Sequence, residues 1–238
     1  MERSYGRKTP DSVRYPHVAL NVVGHCHSSA CVELGNTRVI CAVHHPQQLI
    51  DEYRGERGRI GCTVRRSARA SKGALPLRSG VTPEKDMALA LEGIIEQVVI
   101  LEKIPQLLVE LSVEILADDG GLWDAVATSA SAALAGGGFE MYDSFSACSA
   151  ALLHDGALVV DPDEEEECSA LAATVACVTL NAGDICYLSH RGMSEPATVT
   201  GLVSSALAGA LSRGQAIRAQ LCEQAAHQSS PVGLAPSA

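Results

Sequence analysis

Two glycines flanked by acids, Asp118-Asp119-Gly120-Gly121, stand before Leu122-Trp123-Asp124 and an Ala- and Ser-rich run over residues 125–134. Glycines between a strand and a helix let the backbone turn tightly. The N–H groups left free at a helix start then offer a place for an anion such as phosphate. The side chains that follow do not suit that use. Leu122 and Trp123 bring no charge, and Asp124 is an anion in the first turn. A carboxylate about 4 Å from a phosphate charge costs roughly 1–4 kcal/mol, depending on the local dielectric. The turn is therefore expected to keep the geometry of an anion site without its chemistry.

Three other groups carry chemical potential. Asp161, Asp163 and Glu164-Glu165-Glu166-Glu167 form an acidic cluster. Such oxygens suit a hard divalent cation or a general acid, and a solvated acidic turn is the competing reading. Arg65-Arg66-Ser67-Ala68-Arg69-Ala70-Ser71-Lys72 is a basic loop without an aromatic. It suits phosphate contacts rather than base stacking, against the alternative of a solvated loop. His25-Cys26-His27, Cys31 and His44-His45 invite a zinc reading, but their spacing is irregular, and alternate strand residues point to opposite faces. They read as ordinary strand residues, so no metal site and no cofactor is assigned. No G-x-S-x-G, Walker loop or dinucleotide fingerprint is present.

Charge is unevenly placed. Residues 1–80 hold thirteen Lys/Arg and six Asp/Glu, whereas residues 81–238 hold five and twenty-two. The overall charge of −10 argues against a generally basic nucleic-acid binder. The basic first third suggests one face that meets polyanions, unless its loops simply happen to be Arg-rich. Hydrophobic content of 47% supports a core, and with aromatics at 3% that core must be built from Ala, Val, Leu and Ile. Nine cysteines, an odd number, with no signal peptide, favour free thiols in a reducing compartment. No apolar run approaches a membrane span, so no membrane partner is expected.

The elements that must position these groups follow in order. Residues 1–16 read as a polar arm. An apolar strand covers 18–23, and a hairpin joins 29–34 to 38–43 around Gly35-Asn36-Thr37. Residues 60–64 suit a short strand. Thr82 and Pro83 read as the N-cap and first residue of a helix, on which Met87, Leu91, Ile94, Ile95 and Val98 recur at helical spacing. A strand over 107–116 precedes the glycine turn, and Gly136-Gly137-Gly138 ends the helix after it. Residues 146–153 and 157–160 form a second hairpin, and 170–180 with 185–189 a further strand pair. A long Ala/Leu-rich helix covers 198–221, and 228–238 reads as a disordered tail. Strand pairs followed by helices make the fold class α+β, with mixed β-sheets packed against α-helices. The domain is expected over 17–227.

The combination resembles a known family. Val32-Glu33-Leu34-Gly35-Asn36-Thr37-Arg38-Val39 looks like the N-terminal hairpin of RNase PH-type proteins. Asp118-Asp119-Gly120-Gly121 looks like their phosphate turn, and Leu158-Val159-Val160-Asp161-Pro162 with the glutamates after it like their acidic segment. The resemblance runs from about His17 to Leu221. It looks most like the ribosomal RNA-processing protein 46 type, a ring subunit of the eukaryotic RNA exosome. It implies an RNase PH-type domain in a hetero-hexameric ring of RNase PH-like subunits, with RNA-binding cap subunits and single-stranded RNA as partners. It also implies the nucleus and nucleolus, and the cytoplasm, as locations.

Active members carry Ser-Arg or Thr-Arg directly after Gly-Gly; here Leu122 and Trp123 stand there. They carry a catalytic Asp with a second acid six residues on, positions that Asp161 and Glu167 occupy. They carry arginines at the start of the helix before the phosphate strand, where this chain has Glu84-Lys85-Asp86-Met87. Phosphorolysis depends on clamping a phosphate electrostatically. Gly120, Gly121, Leu122, Trp123, Asp161 and Glu167 are thus expected to be vestigial, in a non-catalytic subunit that guides RNA. Arg65, Arg66, Arg69 and Lys72 are the expected RNA contacts. The alternative is a residual metal-dependent or phosphorolytic nuclease that uses Asp161 and Glu167.

Overall fold

The computed structural model describes residues 3–48, 57–67, 70 and 83–229. Arg69, Lys72, the expected cap Thr82 and residues 230–238 of the expected tail lie outside them.

The first sheet is organised around β6 (Leu107–Ala117), an eleven-residue strand. On one side it pairs antiparallel with β3 (Thr37–Val43), which continues into β2 (Ser28–Leu34) and β1 (His17–Leu20). The short β4 (Gln47–Gln48) pairs with the first residues of β6. On its other side β6 pairs in parallel with β5 (Arg59–Arg66), longer than the strand expected over 60–64. A parallel pair needs a crossover, and α1 (Pro83–Val98) stands between β5 and β6 in the chain. α1 buries Leu91, Ile94, Ile95 and Val98, the stripe expected from their spacing. In the hairpin of β2 and β3, Leu34 faces Thr37 across Gly35-Asn36, and Gly35 takes a φ of 62°. β1 is shorter than expected because Asn21 turns to a φ of 57°, which leaves Val22 and Val23 exposed.

The second sheet, in the order β10-β9-β7-β8, is antiparallel throughout. Its strands are β7 (Phe145–Leu153), β8 (Leu158–Val160), β9 (Ala170–Thr179) and β10 (Ile185–Gly192). Between the sheets runs α2 (Leu122–Gly136), packed on β2 and β3 on one side and β7 on the other. Every residue of α2 from Asp124 to Leu134 is buried. A helix in that place cannot carry large side chains all round, which is why its sequence is Ala-Val-Ala-Thr-Ser-Ala-Ser-Ala-Ala-Leu. α4 (Pro196–Ser229) covers the far face of β7 and β9 and reaches past the expected end at Leu221.

The expected acidic turn is partly a helix, α3 (Glu164–Cys168). Asp163 caps it by accepting from the Glu166 N–H at 2.9 Å, and Glu166 reaches back to the Asp163 N–H at 3.1 Å. This reciprocal pair is a capping box. All nine cysteines are free. Among the described residues no helix is long and apolar enough to cross a membrane.

Candidate functional site

The glycine turn joins the end of β6 to the start of α2. Gly120 and Gly121 take φ values of 83° and 64°, the region that favours glycine. Space demands glycine as well. A Cβ on Gly120 would lie 2.4 Å from the Asp163 carbonyl carbon, and one on Gly121 would lie 2.5 Å from Arg14 Nη2. Thr37 Oγ1 pins the turn by accepting from the Asp119 N–H at 2.9 Å and donating to the Gly120 carbonyl at 2.8 Å. The Gly121 N–H, at the expected anion position, donates to Glu167 Oε1 at 2.7 Å. The chain thus supplies its own anion, from α3.

Beneath the turn lies a buried ionic cluster. Asp161 is wholly buried. Its Oδ2 accepts from the Arg14 backbone N–H at 2.6 Å and from Arg14 Nε at 3.1 Å. Its Oδ1 accepts from Arg14 Nη2 at 2.7 Å and pairs with Arg213 Nη2 at 2.9 Å. Arg213 Nη1 donates to Asp124 Oδ2 at 2.9 Å and to the Ala147 carbonyl at 2.7 Å. Asp124 also accepts from the N–H and hydroxyl of Ser149. Two acids and two arginines therefore balance inside the protein. Burial works against the charge on Asp161, but the charge of Arg213 and the hydrogen bonds and charge of Arg14 outweigh it and hold its pKa well below the usual carboxylate range. Burial likewise opposes the charge on Arg213, and Asp161 with Asp124 more than restores it. Nearby, Arg3 clamps Glu166 at 2.7 and 2.8 Å, and Arg7 lies 3.5 Å from Asp163.

These placements reassign several expected site residues. Asp161 has no surface from which to meet a substrate and serves as an anchor for Arg14 and Arg213. Asp124 turns inward to Arg213 rather than standing bare at the helix start. Glu167 alone of the two acids reaches the turn. The residue is exposed, yet its carboxylate end is set among protein atoms, and this desolvation raises its pKa to about 7. The Gly121 N–H works against that rise, whereas the charges of Asp124 and Asp118 add to it. Leu122 and Trp123 are half-buried against the main core, and the Trp123 ring meets Tyr187 edge-on at 5.1 Å. Among the expected RNA contacts, Arg65 is exposed, with no ion pair among the described residues. Arg66 is committed to Asp118 at 2.7 Å and Glu84 at 3.3 Å. His27 donates from Nε2 to the carbonyl of Gly137, just past α2, at 3.0 Å and packs edge-on to His45 and Phe139.

Sequence reasoning missed Arg14 and Arg213. Arg14 sits in a segment that read as a polar arm. Arg213 had a signal: it falls on the same helical stripe as Leu202, Ala206 and Ala210, all buried. A charged residue on a buried stripe calls for a buried partner.

The model of the 3′ exoribonuclease family, domain 1, matches residues 12–140. The chain belongs to this RNase PH family. Its relatives include the human exosome complex component MTR3, 32% identical over 191 residues that cover 74% of this chain and 70% of that protein. The exosome complex component Rrp41 of Pyrococcus furiosus is 28% identical over 224 residues, covering 92% of this chain and 87% of that protein. Among solved structures, rice Rrp46 superposes with a TM-score of 0.78 at 19% identity, covering 92% of this chain and all of that one. An Archaeoglobus fulgidus exosome chain, solved with RNA bound to the active site, superposes with a TM-score of 0.75 at 21% identity, covering 94% and 92%. The RNase PH fold and the α+β class expected from the sequence are those observed.

Proposed function

We propose that this chain is a non-catalytic subunit of an RNA exosome ring, supporting 3′-to-5′ RNA processing and degradation by assembly and by guiding single-stranded RNA. The observation that carries the reading is Glu167 at the Gly121 amide. Its Oε1 accepts from the Gly121 N–H at 2.7 Å, so a phosphate at the start of α2 must displace it. The charges of Asp124 and Asp118, which oppose the Glu167 carboxylate, oppose an incoming phosphate as well. The charge of Arg14 offsets this only in part, and Arg14 and Arg66 are already paired with Asp161, Asp118 and Glu84. The names of the relatives, exosome components MTR3 and Rrp41, support the ring. RNase PH-like neighbours and RNA-binding cap subunits are the partners this reading calls for, and the nucleus, nucleolus and cytoplasm the places. Arg65, together with Arg69 and Lys72 of the same loop, is the RNA contact, made to phosphates and so independent of base sequence. Mild affinity purification of the endogenous complex tests the proposal. RNase PH-like and cap subunits should co-purify, and their absence would end it.

The pKa of Glu167 also supports a second reading, since a carboxyl that titrates near neutrality suits general acid–base work. A residual nuclease would cleave single-stranded RNA with Mg²⁺ or Mn²⁺ and lose that activity in Glu167→Gln. Activity unaltered by Glu167→Gln would assign it to a contaminant. Asp161→Asn does not discriminate, because Asp161 anchors the fold.

A further inference from the structure

Among the described residues the second sheet has one long open edge. β10 is the terminal strand of the second sheet, and all of its pairing is with β9. Among the described residues no strand lies along its outer side. At eight residues it is far longer than β8, the three-residue strand on the opposite edge. Natural sheets blunt such edges with charged side chains, Pro, bulges or short strands. Ile185-Cys186-Tyr187-Leu188-Ser189 contains none of these residues. The register irregularity between Ile185 and Tyr187 lies at the start of the strand, and Tyr187 to Gly192 pair without a break.

The face of the strand is unfinished too. Ile185 lies opposite Val178 and Leu188 opposite Ala176. Facing residues of paired strands share a side of the sheet. Val178 and Ala176 are buried with Ala210, Leu202 and Ala206 of α4. α4 stops short of the next strand, and there the same apolar face continues as Ile185 and Leu188, 47% and 48% exposed. The opposite face is complete, since Tyr187 packs on Trp123 and the core. Charge narrows the occupant. β10 carries no acid and ends in His190-Arg191-Gly192, on a chain whose residues 81–238 are otherwise strongly acidic.

We propose that the outer edge of β10, with Ile185 and Leu188, is the docking surface for a neutral-to-acidic β-strand of a neighbouring RNase PH-like chain. This rests on the ring reading above. The visiting strand takes up the outward N–H and C=O groups of β10, as in strand addition. Its apolar side chains extend the cover that α4 gives to β9, and its acidic end meets Arg191.

Hydrogen exchange on the full chain, alone and within a ring reconstituted with its RNase PH-like partners, tests the proposal without altering the protein. Assembly should slow exchange of the outward amides between 187 and 192 by at least about tenfold. The pair of substitutions Ile185→Asp and Leu188→Asp, at exposed positions, should leave the melting of the isolated chain intact and weaken incorporation by roughly tenfold or more. If that variant fails to fold, the exchange result decides alone. A ring that forms with β10 exchange unchanged overturns this inference and leaves the ring reading standing. A chain that joins no ring overturns both. Protection of β10 by self-association of the isolated chain also overturns it, because the occupant is then a second copy.

Discussion

Asp161→Asn measures what the buried anchor contributes to stability. In the structure the Asp161 carboxylate accepts three hydrogen bonds from Arg14 and pairs with Arg213, all out of contact with water. Asparagine keeps the shape, but it removes the charge that balances two buried guanidinium groups and turns N–H donors toward other donors. Breaking a buried ion pair by removing one partner costs about 3–5 kcal/mol. For a chain of 238 residues each kcal/mol is worth roughly 2–4 °C, so the melting temperature should fall by about 10 °C, within roughly 6–20 °C. The pH dependence follows from the depressed pKa of Asp161. Its stabilisation is fully present above the unfolded value of about 3.9 and is lost as the pH falls through the folded value. The gap between the two proteins should therefore be widest at neutral pH and should narrow below about pH 4. Scanning calorimetry of the isolated chain at several pH values measures both effects. A variant that melts within about 2 °C of the parent at pH 7 would refute the reasoning.

Glu167→Gln should act in the opposite sense. The folded pKa of Glu167 is raised, so the parent loses stability as the pH rises from the unfolded value of about 4.3 toward 7. Gln keeps an acceptor for the Gly121 N–H without the charge, so the variant should be the more stable protein at pH 8, by about 1 kcal/mol after discounting for exposure. The two should converge near pH 4, and an unvarying difference would contradict the assignment. Gly121→Ala should cost about 1–3 kcal/mol in thermal melts, from the positive φ alone. In a reconstituted ring, Arg65→Glu should lower RNA crosslinking and reduce the salt slope by roughly 0.7 for each lost phosphate contact. Arg66→Ala should leave RNA contact unchanged and cost at most about 1 kcal/mol, since its side chain is spent on Asp118 and Glu84.

Much of the fold was legible because local rules and burial agree. The hairpin at Gly35-Asn36, the α1 stripe and the Ala-rich helix after Gly120-Gly121 each follow from turn chemistry or periodicity, and the structure has all three. The α3 cap was legible too, as Asp163 followed three residues on by Glu166, but four consecutive glutamates read more readily as a solvated turn. The charge map was harder to read. Thirteen basic residues in the first third suggested a face for polyanions, yet Arg3, Arg7 and Arg14 turn inward to Glu166, Asp163 and Asp161. Pairings that span some 150 residues have no local signature, so sequence placed the charges but not their partners. For the same reason Asp161 read as a vestigial site residue rather than as an anchor, and Asp124 as bare charge on the helix start. The glycine turn was read from its residue types, and its occupant, Glu167, emerged only when α3 was folded against it.

The central claim is that the start of α2 rejects phosphate. Titration of the purified chain with inorganic phosphate, followed by the NMR signals of the Gly121 and Leu122 amides, tests it most directly. The account predicts no saturable movement of either signal through tens of millimolar phosphate, on the order of ten times the Kd that separates weak from negligible binding. A saturable shift of the Gly121 amide in that range, with release of Glu167, would contradict it.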